Sequence, residues 1–552
     1  MGGVLARFGA AKVRLSMRRG MTPEATQAPT SKARQRRWLA LVGVALVVLV
    51  GVGLRCIHLR DPFIADFHSW RQADSAGFAH GYLIETLNPF SPRASRQPCE
   101  VADAPFGLVE AELPISAWLS AVPLRLLGVS FPPPWYLRSV SIVFFVLTAF
   151  YLYRLQRLLG ANRFESGSSL LVFATLPLAI FFNRTPQPDG PALAFCVAFL
   201  YHLERWLTWP TEALPDSKRW WQHRDVQLGL SALWGGGMLM IKAPNLFMGL
   251  PALYLVLSAR GAARAVREWR LWLWGVCVLA LGSTWYWHAH QFPWTFGVWG
   301  DRAETKFSSW ALFNSQGPWR TLSERVVSSI AGWGALALAL LGLGAGLEER
   351  RTRLYVVWLV GFVCFVAAVL KGNVTHVYYQ LPAVLPLSLL AGRGMTKLWD
   401  SAAPQANSMR VPAQRWGNRT LLIALLALHG WNTQSILFAE TKRGEHRGFY
   451  HTDNDIIATA SLLKQHLPPG ARFVSVDRNP AFFYNSEHQG FFTERTGLSQ
   501  VLSCAKGRAD YALVPITYQN QERLLSGRVK RVGQTSRYLL WQFTSAAPKQ
   551  AP

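Results

Sequence analysis

The chain is 552 residues long, half of them apolar and only 16% charged, with 24 tryptophans. Its long apolar runs, each closed by a short polar segment, exclude a string of soluble domains, because lipid accepts only backbone that satisfies its own hydrogen bonds. The formal charge of +26 falls in alternate loops, the pattern that keeps loops cytoplasmic, and so points to anionic headgroups and phosphates and away from nucleic acid.

The sequence predicts a mainly α polytopic membrane helical bundle of about eleven spans. Residues 1–37 form a cytoplasmic basic tail, ending in SKARQRR at 31–37, and are not a cleavable signal. A transmembrane domain is expected over 38–439. Its first span is 38–57, and a large first outer loop fills 58–136. Two pieces of that loop, 69–86 and 114–127, read as amphipathic juxtamembrane helices. Pro132, Pro133 and Pro134 break the chain before the second span, 137–157. Basic 154–163 turns it, and span three, 167–182, ends at NRTPQPDG, 183–190. Spans four, five and six are 191–206, 226–241 and 245–257, the last two joined by a tight outer turn at 242–244. Basic 260–270 precedes span seven, 271–287, and an outer loop at 288–325 is rich in Trp and Phe. Trp294, Trp299 and Trp310 read there as interfacial anchors. Span eight is 330–347, followed by EERRTR; span nine is 354–370, with an outer turn at 371–376. Span ten is 377–390, a basic loop covers 393–419, and span eleven is 420–438.

Residues 440–552 are mixed in character and read as a small α/β domain on the outer side. A helix is expected at 456–467 and strands at 472–476 and 511–515, with Pro468, Pro469 and Gly470 as breaks. FFYNSEHQG at 482–490 reads as core or as an acceptor-binding surface. Six cysteines show no zinc spacing and no Cys-x-x-Cys. Cys196, Cys277 and Cys364 lie in spans as packing residues. Cys99 and Cys504 both fall on the outer side, where an oxidising compartment allows a disulfide between them.

Chemistry-bearing residues collect on the outer face. DFHSWRQAD at 66–74 puts Trp70, Arg71 and Asp74 on one helix face. Glu110 and Glu112 precede an amphipathic run. Asp189, Lys242, His376, Tyr378 and Tyr379 follow in later outer loops. A carboxylate beside a bilayer is costly unless paired, so each is a candidate for function. The plainer alternatives are an Asp74–Arg71 salt bridge, a helix N-terminal charge at Glu112, an N-cap at Asp189, a snorkelling Lys242 and an aromatic belt at 376–379. His288 and His290, with a carboxylate, are residue types that hold a divalent metal ion, without the fixed spacing of a metal motif. No other cofactor is implied.

The order HSWRQAD (68–74), EAELP (110–114), RTPQPD (184–189), KAP (242–244) and HVYYQLP (376–382) resembles the GT-C superfamily of polyprenyl-phosphate-sugar-dependent glycosyltransferases. Within it the chain resembles the bacterial branch related to polyprenyl-phosphate-mannose protein mannosyltransferases and to the lipid A aminoarabinose transferase. The resemblance implies a hexosyl- or pentosyltransferase in the cell inner membrane. Its donor is a polyprenyl-phosphate sugar, its acceptor a lipid, glycan or protein, and a first-loop carboxylate is the base for an inverting transfer. Many relatives carry Asp-Glu at the start of the first-loop helix; aligned on Gly77, Phe78 and Ala79, this chain has Arg71 and Gln72 there. Asp74, one turn on, is the expected base and Asp66 the second choice. Glu112 and Asp189 take the other acidic positions. Arg71 and Lys242 are expected on the lipid phosphate, with His68, Trp70, Gln72, His376, Tyr378 and Tyr379 around the substrates. A lipid-linked sugar flippase or transporter, which requires mid-membrane charges and inverted repeats, and an oligosaccharide polymerase or ligase are the rival readings.

Overall fold

The computed structural model describes residues 31–63, 68–209, 223–295, 306–344, 346–400, 411–439, 448–493, 498–525 and 528–544. Two compact units divide the chain, Met1–Gly43 and Val44–Pro552. The first contributes the start of α1 (Ser31–Arg55); everything below concerns the second.

After α1 come α2 (Ser69–Ile84), the short strand β1 (Arg96–Pro98) and α3 (Ile115–Leu126). Then follow α4 (Pro134–Leu158), α5 (Arg163–Thr175), α6 (Pro177–Phe182), α7 (Asp189–Leu207), α8 (Arg224–Ile241), α9 (Gly249–Arg260), α10 (Ala262–Arg267) and α11 (Trp269–Ala289). Beyond these are α12 (Trp310–Asn314), α13 (Gln316–Arg325), α14 (Gly332–Leu343), α15 (Arg350–Ala368), α16 (Leu370–Thr375), α17 (Val384–Asp400) and α18 (Val411–Phe438). All eleven stretches read as spans are helical, but not uniformly. The third breaks between α5 and α6, where Pro177 lacks an N–H and disfavours helix at Leu176. Pro244 and Pro382 accompany 3-10 turns in the sixth and tenth. The eighth follows a 103° bend between Gln316–Ile330 and Gly332–Leu343. Among the described residues, four helices are long and apolar enough to cross a membrane: Trp38–Arg55, Pro134–Leu158, Arg350–Ala368 and Gln414–Phe438. The bent pair would make a fifth. The other helices are shorter, broken or more polar.

Glycine lets the helices approach closely. A Cβ on Gly342 of α14 would lie 1.8 Å from the Leu390 carbonyl, and one on Gly392 of α17 would lie 2.1 Å from Ser169 Oγ of α5. Small residues at such crossings let backbones touch where no water drives association. At one end of this bundle, Arg350 holds buried Glu204 at 2.5 and 2.8 Å, Arg351 reaches buried Glu165 at 3.2 Å, and Arg393 meets Glu349 at 2.5 Å. These residues come from four of the loops or helix ends placed on the basic side. Asp189, fifteen residues before Glu204 on α7, lies about 22 Å away along the helix.

The C-terminal segment holds α19 (Asn454–His466), β2 (Phe473–Ser475), α20 (Pro480–Asn485), β3 (Gly490–Phe492), α21 (Leu498–Ala505), β4 (Tyr511–Pro515), β5 (Val529–Gln534) and β6 (Tyr538–Phe543). Asp453 and Asn479 cap α19 and α20 through their side chains. The sheet has six strands in the order β1-β3-β2-β4-β6-β5. Its first strand therefore comes from the first loop: β1 runs parallel to β3, with Arg96 opposite Gly490. A disulfide joins Cys99 to Cys504 just after β1, with Cα atoms 5.5 Å apart. The aromatic run at 482–484 is core: Phe482, Phe483 and Tyr484 are buried, and the Tyr484 hydroxyl donates to the Pro132 carbonyl at 2.5 Å. These rings pack as core, the first of the two readings of that segment.

Gly342→Ala must push α14 off α17. We expect a loss of about 1–3 kcal/mol, read as a lowered thermal transition in detergent. Gly229→Ala on α8, which meets open space, serves as the control and should not be destabilised.

Candidate functional site

The site is assembled at the end of the bundle opposite the Arg350–Glu204 contact. The extended segment at 109–113 is strapped in place from three directions. Glu110 N–H donates to the Trp294 carbonyl at 2.7 Å, Leu113 N–H to the Met240 carbonyl at 3.1 Å, and the buried Trp285 indole to the Ala111 carbonyl at 3.0 Å. These bonds fix Glu112, whose carboxylate pairs with Arg71 of α2. Lys242 follows the last turn of α8. The Tyr286 hydroxyl accepts from the neighbouring Ala243 N–H at 2.9 Å and so holds that turn. The Lys242 ammonium pairs with Asp189 at the start of α7 and lies 4.4 Å from the Tyr379 ring centre and 5.0 Å from that of Tyr378. Lysine placed over aromatic faces in a buried setting is held by their quadrupoles; it does not snorkel.

His68 has a left-handed backbone, φ 58°. Its ring meets Tyr378 edge-on at 4.8 Å, His376 at 5.6 Å and Phe182 at 6.2 Å. His376 Nδ1 is buried without a hydrogen-bond partner, as is Asp189 Oδ2. Burial pushes the Glu112 carboxyl up, but Arg71, Lys242 and Lys306 outweigh it and hold the group down to about 2. Burial, then Lys306, Arg71 and Lys242, lower His376 to about 4, so it is neutral at pH 7. Burial likewise lowers Lys306, against the pull of Glu112. One electrostatic cluster therefore contains Arg71, Glu112, Asp189, Lys242, Lys306, His376, Tyr378 and Tyr379.

Other expected site residues lie elsewhere. Asp74 is near enough to feel Arg71 but is held by β1: Arg96 reaches its Oδ1 at 2.9 and 3.2 Å and its Oδ2 at 3.1 Å, and both side chains are buried. This geometry does not suit a base, because both carboxylate oxygens already accept. Gln72 is buried. Trp70 is 38% exposed, with the Arg478 guanidinium 4.6 Å from its ring centre. Asp66 and Trp299 lie outside the described residues. Trp294 is a packing residue, its ring 6.0 Å from Phe492. Among the described residues no three of His, Cys, Asp and Glu converge to hold a metal ion. His288 Nε2 bonds the Phe90 carbonyl at 2.9 Å, while His290 lies 3.5 Å from Glu110, so the pair does not fit a metal. Sequence reasoning missed Lys306 and Arg96. Neither sits in a motif: Lys306 lies in a loop and Arg96 opens a three-residue strand, so no periodicity assigns a facing to either.

Residues 110–288 match the family model described as dolichyl-phosphate-mannose-protein mannosyltransferase. Over nearly the whole chain the fold is shared with ArnT from Cupriavidus metallidurans. In the apo state the TM-score is 0.60 at 13% identity, covering 92% of this chain and 98% of that one. The undecaprenyl-phosphate-bound ArnT gives 0.56 at 14% identity, with 91% and 98% covered. The archaeal oligosaccharyltransferase AglB from Archaeoglobus fulgidus, in complex with an inhibitory peptide and a dolichol-phosphate, gives 0.53 at 10% identity, with 88% and 70% covered. The chain thus shares its fold with ArnT and with AglB over most of its length. No curated protein matches the chain significantly.

His376 ordinarily titrates near 6.5 and here near 4. The unfolded chain therefore binds its proton first, and stability falls as pH drops from 6.5 towards 4. Thermal transitions measured across that window should show a shallower loss in His376→Gln than in the wild type; equal slopes would remove His376 as the source.

Proposed function

We propose that this chain transfers a sugar from a polyprenyl-phosphate donor to a hydroxyl of a lipid, glycan or protein acceptor, at the outer face of the cell inner membrane. In this reading the helical segments make about eleven crossings, the N-terminus is cytoplasmic and the C-terminal sheet lies outside. The observation that carries it is the convergence of three cations, Arg71, Lys242 and Lys306, with two carboxylates and a wall of aromatic rings at one end of the bundle. Such a surplus of positive charge suits a phosphate, and an Arg fork binds phosphate oxygens with defined geometry. The undecaprenyl phosphate bound to ArnT and the dolichol-phosphate bound to AglB support the same ligand class here. So does the family description over 110–288.

The chemistry needs little else. The bond from the anomeric carbon to the phosphate oxygen breaks, and its electron pair stays on the phosphate. The cations stabilise that charge as it develops. The acceptor oxygen attacks from the opposite side and inverts the anomeric centre. Its proton goes to Glu112, which faces the cluster and is free of Arg96. Phosphate arrival neutralises the cations that depress Glu112, so its basicity rises when the donor is in place. Asp189 keeps Lys242 aligned.

Comparative mass spectrometry of envelope glycans and glycoproteins, with and without the gene, should reveal one missing sugar; unchanged profiles would sink the reading. In a purified system, Glu112→Gln should lower kcat by about 10²–10⁴-fold with donor KM nearly constant. Lys242→Ala should instead raise donor KM. A Glu112→Gln enzyme with wild-type turnover would remove Glu112 from the chemistry.

A further inference from the structure

The buried Arg96–Asp74 pair spans 22 residues and joins α2 to a strand that is completed from the far end of the chain. Arg96 belongs to the sheet, where β1 pairs with β3 and is pinned by the Cys99–Cys504 disulfide. Behind it the Phe492 ring of β3 lies 4.9 Å from the guanidinium. Asp74 belongs to α2, which carries Arg71 three residues earlier. The helix also presses directly on the chain leading into β1. A Cβ on Gly77 would come within 2.8 Å of Ser95 Oγ, and one on Gly81 within 2.2 Å of the Arg93 carbonyl. Two glycines and one bidentate ion pair therefore set how α2 is rotated about its axis. That rotation determines where the Arg71 guanidinium points, and it points to Glu112.

We propose that Asp74 and Arg96 are positioning residues, through which the C-terminal sheet fixes the rotation of α2 and holds Arg71 at the anion side of the site. The ligand's identity rests on the function proposed above; the positioning itself does not. The physics supplies a discriminating asymmetry. Removing one partner of a buried pair strands the other charge, whereas replacing both with neutral hydrogen-bonding groups of similar shape costs far less.

The test uses the full chain in detergent with two readouts. The first is binding of undecaprenyl phosphate. The second is modification of Arg71 by phenylglyoxal, followed by mass spectrometry, which needs no ligand. Asp74→Asn and Arg96→Gln alone should each weaken binding by about tenfold or more, the effect of losing one phosphate-directed hydrogen bond to a charged group. Both should also raise Arg71 modification. The double variant Asp74→Asn/Arg96→Gln should restore both readouts close to wild type. In an Arg71→Ala background, Asp74→Asn should add no further loss of binding, since its effect passes through Arg71.

Restored Arg71 protection in the double variant supports the proposal even if the single variants do not fold. A folded double variant with unprotected Arg71 overturns it, as does an additive loss in the Arg71→Ala background. If the wild type fails to bind undecaprenyl phosphate, the functional reading fails separately and the modification readout still decides the positioning. Should transfer activity vanish in the double variant while Arg71 stays protected and binding is normal, Asp74 is the base and the proposal is wrong.

Discussion

A charge withdrawn from water survives only beside a partner, and this requirement organises both ends of the bundle. At one end, three arginines from two segments, Arg350 with Arg351 and Arg393, close over Glu165, Glu204 and Glu349. At the other, Lys242 closes on Asp189 and Arg71 on Glu112. Glu204 is buried and held through both oxygens, Glu165 is buried with one oxygen unpartnered, and Glu349 is half-exposed. The second end gathers more charge. Lys306 adds a third cation, Asp189 Oδ2 and His376 Nδ1 are buried without partners, and His68 is held in a left-handed backbone. Desolvated charge that is incompletely matched is a common condition of functional sites.

Much of the fold was legible because apolar length and loop charge are one-dimensional signals. The predicted juxtamembrane helices at 69–86 and 114–127 appear as Ser69–Ile84 and Ile115–Leu126. The strand expected at 511–515 is Tyr511–Pro515. The gathering of Arg71, Glu112, Asp189, Lys242 and His376 was also legible, since alternating topology sends every second loop to the same end. What sequence did not supply was facing. Spacing put Asp74 and Arg71 near one helix face, yet residues three apart still differ by about 60° around a helix axis, enough to send Arg71 to Glu112 and Asp74 to Arg96. Nor does spacing reveal a three-residue strand such as β1, which is too short for alternation to register and finds its partners far along the chain.

The same limit applies to the tryptophans. A Trp-rich loop reads as an interfacial belt, because amphipathic rings favour headgroups. Trp310 remains exposed, stacked on Phe313. Trp285 and Trp294, by contrast, serve the site: one through its indole N–H and the other through its backbone carbonyl, both holding the segment that carries Glu112. Composition identifies the residue type, and only the fold decides whether the ring or the backbone does the work.

The place of β1 in the sheet has a consequence for biogenesis. Its disulfide closes a sequence separation of 405 residues, and its neighbour β3 lies almost as far downstream. Contacts so distant form late, after nearly the whole chain has been made and threaded. Until then Arg96 and Asp74 lack the surroundings that fix their geometry. A nascent or truncated chain can insert its helices and still leave β1 without its neighbour in the sheet. The chain's own far end thus acts as a proof of completion, since a product that stops short lacks β3 and the partner of Cys99.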